Sequence, residues 1–477
     1  MDFRGILKFI PEIKSPEEKK TSFKEKAKWT IIVLLSFFIL ANIPLFGLSQ
    51  NALSRFQYLA IILGTNFGSI ISLGIGPIVT ASLILQLLVG SGMLNIDTTD
   101  AEGRRFFQGI QKLLVFFFIV LESLIYVLMQ GLQAVPGFAW LVILQLILGG
   151  LAIYYMDELV GKWGIGQGTS LFIAAGVSWH LITSSLQFID QTGRNCLLGF
   201  STIPCSGKIL VLIQSLITRQ NVELLSAAGA IAVTIGIFLL VVWAQGLKIE
   251  IPLSFGRIRG YSVKQPLSFF YASVVPVIFT AAIVASMQLF GGIFENAAAA
   301  CVSGTCTGLA KFASHFTFLG RFMQGQPVSG LAFWIGSTNI LDLLIRGGFL
   351  PRYILQGIFH ALFFMVFSTI FSIFWVKTSG LDAKSQAHKI TASGLQVAGF
   401  RQDERVLETI LERYIMPLTV MGGLAIGLLA SITDLMGAIV SGTSILLVIM
   451  ITNQFYQTIA QQHPEVINPA LGKFVNK

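Results

Sequence analysis

Ten separate apolar runs constrain this chain more than any other feature. They lie near 29–48, 74–92, 107–130, 138–157, 167–189, 224–247, 267–291, 354–376, 414–433 and 436–457. A helix rises about 1.5 Å per residue, so about 20 apolar residues match the roughly 30 Å hydrocarbon core of a bilayer. Charged residues are 12% of the 477, about half the share of an ordinary soluble domain. The chain therefore reads as an all-α, multi-span membrane protein. Residues 1–28 are polar and charged, and no small-residue cleavage site follows the first run. They read as a cytosolic, mildly amphipathic tail that lies on the membrane surface.

One apolar stretch is broken. "FQYLAIILGTNFGSII" ends at Ile71 and holds Gly64, Asn66 and Gly68; "LGIGPIVTASLILQLLVG" begins two residues later. The piece from 57 to 71 is short for a span. The cations decide how it sits. If it dips in and returns, 24 of the 32 Lys and Arg fall on the side of the N-terminus; if it crosses, the split is 15 against 17. Only the first gives a positive-inside bias. The expectation is a re-entrant segment entering from outside, with both termini cytoplasmic. Irregular backbone at that depth must be buried in protein or line a wet cavity, because lipid cannot satisfy its amides. The net charge of +9 is accounted for by topology and is not in itself evidence for nucleic acid.

Two pairs of short strings recur. "GPIVTA" from Gly76 is similar to "VPVIFTA" from Val275, aligning Pro77 with Pro276. "QGTSLFI" from Gln167 is similar to "SGTSILL" from Ser441, aligning Gly168 with Gly442. The first members fall in the second and fifth runs, the second members in the seventh and tenth. A repeat of five spans inverts its halves, here 29–220 and 221–477, and inverted repeats place the working site at their interface near the midplane. Val79 and Ile278 stand two residues after the paired prolines; Ile173 and Leu447 stand five after the paired glycines; Ile75 precedes Val79 by one turn. These aliphatics either fill an ordinary core or face one another across a pore. Spacing alone does not separate the two.

The matching strings also carry a resemblance to a known family. They include "LGIGPIVTASLILQLLVGSG" (73–92), "DELVGKWGIGQGTSLFIAAGVS" (157–178), "FWVKTSGLDAKS" (374–385), "GFRQDERVLETILERYIMPLTVMGG" (399–423) and "DLMGAIVSGTSILL" (434–447). Taken in order almost end to end, the sequence resembles the SecY family, the large subunit of the Sec protein-conducting channel, and its archaeal branch in "GIGP" and "GFR". The resemblance implies ten transmembrane helices in two inverted five-helix halves, with residues 57–71 as a re-entrant plug helix. The plug residues are Leu59, Ile62, Gly64, Asn66, Gly68 and Ile70. It implies a pore ring of Ile75, Val79, Ile173, Ile278 and Leu447, with Thr169 at a sixth position that is usually aliphatic. It implies a lateral gate in which the helix from Pro77 faces the seventh span, flanked by the third and eighth. Thr80, Gln86, Glu122 and Ser286 are its polar residues, Ser286 standing where the family often has asparagine. Glu122 either tunes that gate or is a protonated carboxyl bonded between helices.

By the same resemblance, the cytosolic loops 246–266 and 376–413 dock the ribosome, or the SecA motor in bacteria, through Arg257, Arg259 and Arg401. The partners implied are a SecE-type and a Sec-beta or SecG-type small membrane subunit, signal sequences, nascent polypeptides and lipid. The implied location is the plasma membrane, and no cofactor or metal is implied. Aliphatic rings block ions by dewetting and hold no preference for the chain that slides through.

All four cysteines lie in outer loops, where disulfides form. Four cysteines allow three pairings; Cys196–Cys205 and Cys301–Cys306 close the shortest loops, and free thiols are the alternative. The rival function is a secondary transporter with inverted repeats, which would gather polar ligands at the midplane; the repeat positions here are aliphatic. No HExxH, GxSxG or Walker A string points to an enzyme.

Overall fold

The structure is a computed structural model that describes residues 11–17, 21–51, 53, 60, 64–94, 96, 101–189, 195–196, 205–255, 262–272, 274–302, 311, 315–323, 326–392, 395–397 and 404–462. Helices dominate: α1 (Phe23–Ala41), α2 (Gly76–Gly90), α3 (Ala101–Leu128), α4 (Ala139–Trp163), α5 (Gly168–Leu186), α6 (Lys208–Thr218) and α7 (Asn221–Gln245). Then come α8 (Val275–Val302), the short α9 (Leu331–Ile335) and α10 (Ile340–Ile345), α11 (Pro351–Thr378), α12 (Ala383–Ala392), α13 (Glu404–Leu435) and α14 (Gly442–Gln462). Among the described residues, eight helices are long and apolar enough to cross a membrane: α3, α4, α5, α7, α8, α11, α13 and α14. The first two expected spans come out differently. Lys24, Glu25, Lys26 and Lys28 crowd the start of α1, whose Ser22 cap accepts the Glu25 N–H at 3.3 Å. Pro77, at the start of α2, leaves a helix of 15 residues, about 22 Å long.

The all-α expectation needs one addition, since three small antiparallel sheets join loops at the helix ends. β1 (Leu48–Asn51) pairs with β2 (Leu132–Ala134), and β5 (Arg321–Met323) with β6 (Gln326–Ser329). β3 (Lys248–Phe255) pairs with β4 (Ser262–Ser268) from Lys248–Ser268 to Ser254–Ser262, and its other edge takes β7 (Leu395–Val397). This joins the two long loops singled out from the sequence into one sheet.

The broken stretch is resolved by side chains. Residues 64–75 run through successive turns into α2, and 71–75 are buried. The Thr65 hydroxyl donates to Ile71 O at 2.6 Å, Asn66 Nδ2 to Ala41 O at 2.9 Å, Ser69 Oγ to Asn66 O at 2.7 Å and Ser72 Oγ to Ser69 O at 2.5 Å. Ser72 Oγ also accepts the Gly68 N–H at 2.8 Å, at a glycine with φ +94° that disfavours any side chain. Irregular backbone therefore packs against the helices with these polar groups paired, as burial away from water requires. Of the plug residues, Gly64, Asn66, Gly68 and Ile70 fall here; Leu59 and Ile62 lie outside the described residues.

α4 closes over this segment at Gly149, where a Cβ would overlap the Ile70 carbonyl. Backbone cannot swing aside as a long side chain can. Gly149→Ala is expected to cost about 1–3 kcal/mol through overpacking, read as a lowered unfolding midpoint in detergent. An unchanged midpoint would mean that segment 64–75 is loosely held.

In the connection between α5 and α6, Cys196 and Cys205 form a disulfide. Cys301 lies in the last turn of α8, its side chain outside the described residues, and Cys306 lies outside them altogether.

Candidate functional site

A cavity of about 950 Å³ opens between the two halves of the chain. Its mouth is charged. Arg104, Arg105, Lys112, Glu158 and Lys162 line it, and the N-terminal segment adds Glu12 and Ser15. That segment is pinned across the ends of α3 and α4. Lys112 Nζ binds Glu12 at 2.6 Å, Lys162 Nζ donates to Ile13 O at 2.5 Å, and Trp163 Nε1 donates to Lys14 O at 2.8 Å. The hydrogen bond from Lys112 holds the Glu12 carboxyl below its ordinary pKa. Residues 11–14 are thus a fixed strap at the mouth, a more definite placement than a tail lying on the membrane surface.

The inner end is aliphatic. Val79, Ile173 and Ile278 line the cavity, from α2, α5 and α8. All five predicted ring residues are buried, none more than 7% exposed. Ile75 sits where the broken segment arrives: a Cβ on Gly64 would lie 3.6 Å from Ile75 Cγ2. Leu447, on α14, is wholly buried. Thr169 also lines the cavity, one turn nearer the start of α5 than Ile173.

Two of the four predicted gate residues meet. Thr80 Oγ1 on α2 donates to Glu122 Oε1 on α3 at 3.3 Å. A second bond between the same helices, Gln111 Nε2 to Ser82 Oγ at 2.7 Å, was not foreseen. Gln86 is buried and lines the cavity. Ser286 is half-buried on α8 and bonds to neither Thr80 nor Glu122 among the described residues. The far end of α2 packs on α11, where a Cβ on Gly90 would overlap the Phe374 ring.

The family model described as SecY matches residues 69–456. The protein translocase subunit SecY of Methanothermobacter thermautotrophicus is 38% identical over 99% of this chain and 98% of its own. The chain belongs to the SecY family. The SecY of Methanocaldococcus jannaschii is 36% identical over 99% of both chains. Among solved structures, one of a protein-conducting channel superposes with TM-score 0.79 at 35% identity, covering 99% of this chain and 100% of that one. Sec61 in a canine ribosome–channel complex from the endoplasmic reticulum gives TM-score 0.76 at 34% identity, with the same coverage.

Within this SecY chain, the two Gly-Thr-Ser turns share a device that motif reading missed. The Thr169 N–H donates to Asp157 Oδ1 at 2.6 Å, and the Thr443 N–H to Asp434 Oδ1 at 2.7 Å. Each aspartate belongs to the last turns of the preceding helix, and each glycine packs so closely on that helix that a Cβ would collide with its backbone. Asp434 also accepts the Thr443 hydroxyl. The one hint was an aspartate before each repeat glycine, 11 residues before it in one half and 8 in the other, so no fixed spacing marks it. The docking arginines Arg257, Arg259 and Arg401 lie outside the described residues.

Asp434→Ala leaves the first-turn N–H of α14 unpaired and is expected to cost about 1–3 kcal/mol. Asp434→Asn keeps an acceptor and should cost less. Thermal unfolding of both variants in detergent checks this; equal losses would mean that charge, not the bond to Thr443, matters.

Proposed function

We propose that the chain is the pore-forming subunit of a protein translocase, a passive channel for polypeptides, and that the charged cavity is the cytosolic half of its path. The observation that carries this is the change of lining along one cavity, from paired charges at the mouth to Val79, Ile173 and Ile278 at the inner end. With Ile75 and Leu447 these form the constriction ring. Such a ring sheds water when empty and so stops ions, yet offers a passing chain no hydrogen bond to hold it. The segment 57–71 is the plug, and its residue Gly64 lies against Ile75. The relatives are translocase subunits, a family of channels rather than enzymes, so the driving energy comes from a partner.

The lateral gate runs between α2 and α8, with α3 and α11 alongside. Opening it exposes the path to lipid, where a segment of about 20 apolar residues partitions favourably. Ten spans in two inverted halves, with both termini cytoplasmic, follow when α1 and the short α2 are counted with the eight long helices. The cation distribution and the matched aspartate caps support that reading. On the cytosolic face, the β3–β4–β7 sheet presents the loops bearing Arg257, Arg259 and Arg401. Arginine suits the phosphates of ribosomal RNA, and a relative of known structure is held in a ribosome–channel complex. Small membrane subunits of the SecE and Sec-beta or SecG type complete the assembly.

Single-channel recording in planar bilayers tests the seal. The intact chain should stay closed. Deleting Leu59 to Ile70 should give flickering ion leakage, and Ile278→Asn a smaller steady leak. Silence in all three, with both variants shown to be folded, would sink the plug and ring assignments together.

A further inference from the structure

The helix α6 lies in an outer loop that matches the family strings poorly, and the channel reading gives it no task. It has 11 residues, about 16 Å, too short to span. Its two sides differ. Val211, Gln214 and Ser215 are buried, whereas Ile209, Ile213, Leu216 and Ile217 are 37–61% exposed. Four large aliphatics at this spacing form one stripe. In water they would be a costly patch.

The stripe cannot roll away. The Cys196–Cys205 disulfide packs with Val211 and Ala227 beneath α6, and the Cys205 N–H donates to Gln214 Oε1 at 2.9 Å. The Gly207 N–H donates to Gln187 O at 2.9 Å, tying the start of α6 to the end of α5. Only Arg219 and Gln220 separate α6 from α7, and Val211 meets Ala227, so α6 runs back along the first turns of α7.

The depth of those turns follows from their polar contacts. α7 has 25 residues, about 37 Å, some 7 Å more than the hydrocarbon needs. Its first turns carry charge: Glu223 pairs with Arg346 at 3.0 Å, and Ser226 Oγ donates to Asp342 at 2.7 Å. Burial would raise the pKa of Asp342, but Ser226, Arg346 and nearby Lys208 outweigh it and hold it below the ordinary value. A charged network marks this as the end of α7 that stands in the headgroup layer. Alongside it, α6 straddles the edge of the hydrocarbon. Its stripe continues along the chain into exposed Val222 and Leu225, and exposed Arg219 caps the tip.

We propose that α6 is an interfacial anchor, with Ile209, Ile213, Leu216 and Ile217 set into the acyl chains of the outer leaflet and Arg219 at its phosphates. The interfacial fit follows from an apolar stripe bounded by a cation at headgroup level. It ties the connection between the two halves to the bilayer.

The test is site-specific photocrosslinking of the full chain in a bacterial membrane of phosphatidylethanolamine and phosphatidylglycerol, so that partner subunits are present. p-Benzoylphenylalanine replaces Leu216 or, separately, Ile213, with Phe238 on α7 as the positive control and Phe318 in the outer loop as the negative one. Intact mass should show single-lipid adducts at 213 and 216 comparable to those at 238, and none at 318. A protein adduct at 213 and 216, or no adduct there while 238 carries lipid, would overturn the anchor. Loss of lipid at 238 as well would instead overturn the assignment of α7 as a span, and the anchor with it. Arg219→Glu should lower the phosphatidylglycerol share of adducts at 216; an unchanged share would remove Arg219 from the headgroup contact.

Discussion

The rest of the structure depends on one constraint: backbone polar groups at membrane depth must be paired without water. Helices meet it automatically, which is why most of this chain is helix. The segment 64–75 meets it through Thr65, Asn66, Ser69 and Ser72, whose side chains bond to backbone carbonyls within a few residues or on α1. Because those bonds are supplied locally, the chain can turn in the middle of the protein and launch α2 from there at Pro77. A short helix starting inside the protein is what brings Val79 into one cavity with Ile173 of α5 and Ile278 of α8. Without the pairing of 64–75, the centre of the molecule would be either a full span or an unsatisfied gap.

The same constraint recurs at the starts of α5 and α14. A helix N-terminus leaves its first N–H groups without intrahelical partners. Here a carboxylate from the preceding helix takes one of them in each half, through Asp157 and Asp434. The glycines at 168 and 442 let those helices close on each other without a Cβ between them. The result fixes how far Ile173 and Leu447 stand along their helices. The positions of the proposed ring residues Ile173 and Leu447 thus depend on polar contacts about one turn away, at Thr169 and Thr443.

What could be read from the sequence follows the same division. Long helices were legible because each carries its own pattern, and the break at Gly76-Pro77 was legible because proline acts locally. The cation count gave the segment before it a direction. The aspartate caps were not legible, because their separations from the capped threonine differ, 12 residues in one half and 9 in the other, so no fixed spacing repeats. The Ser82–Gln111 bond and the β3–β7 pairing join residues far apart in the chain, and neither partner announces the other. The short strands lack the length for a period to show. Thr169 stood out as a threonine in an aliphatic series; it stands one turn nearer the start of α5 than Ile173, and its bond to Asp157 comes from the backbone N–H, so nothing in the structure explains the threonine side chain.

The bonds of α2 argue for which side of the proposed gate yields. Toward α3 it is held by two directional bonds, Thr80 to Glu122 and Gln111 to Ser82, in surroundings where an unpaired polar group is costly. Toward α11 Gly90 packs on the Phe374 ring, and a contact of that kind has no directional partner to strand when it parts. An apolar segment entering the seam can replace Phe374 with its own side chains at little cost in dispersion, whereas nothing apolar can replace the Glu122 carboxylate for Thr80. A two-sided gate would have to strand polar groups each time it opened. In the proposed gate this asymmetry would let α2 travel with α3 as one body while the seam parts along α8 and α11, apolar contact giving way to apolar contact.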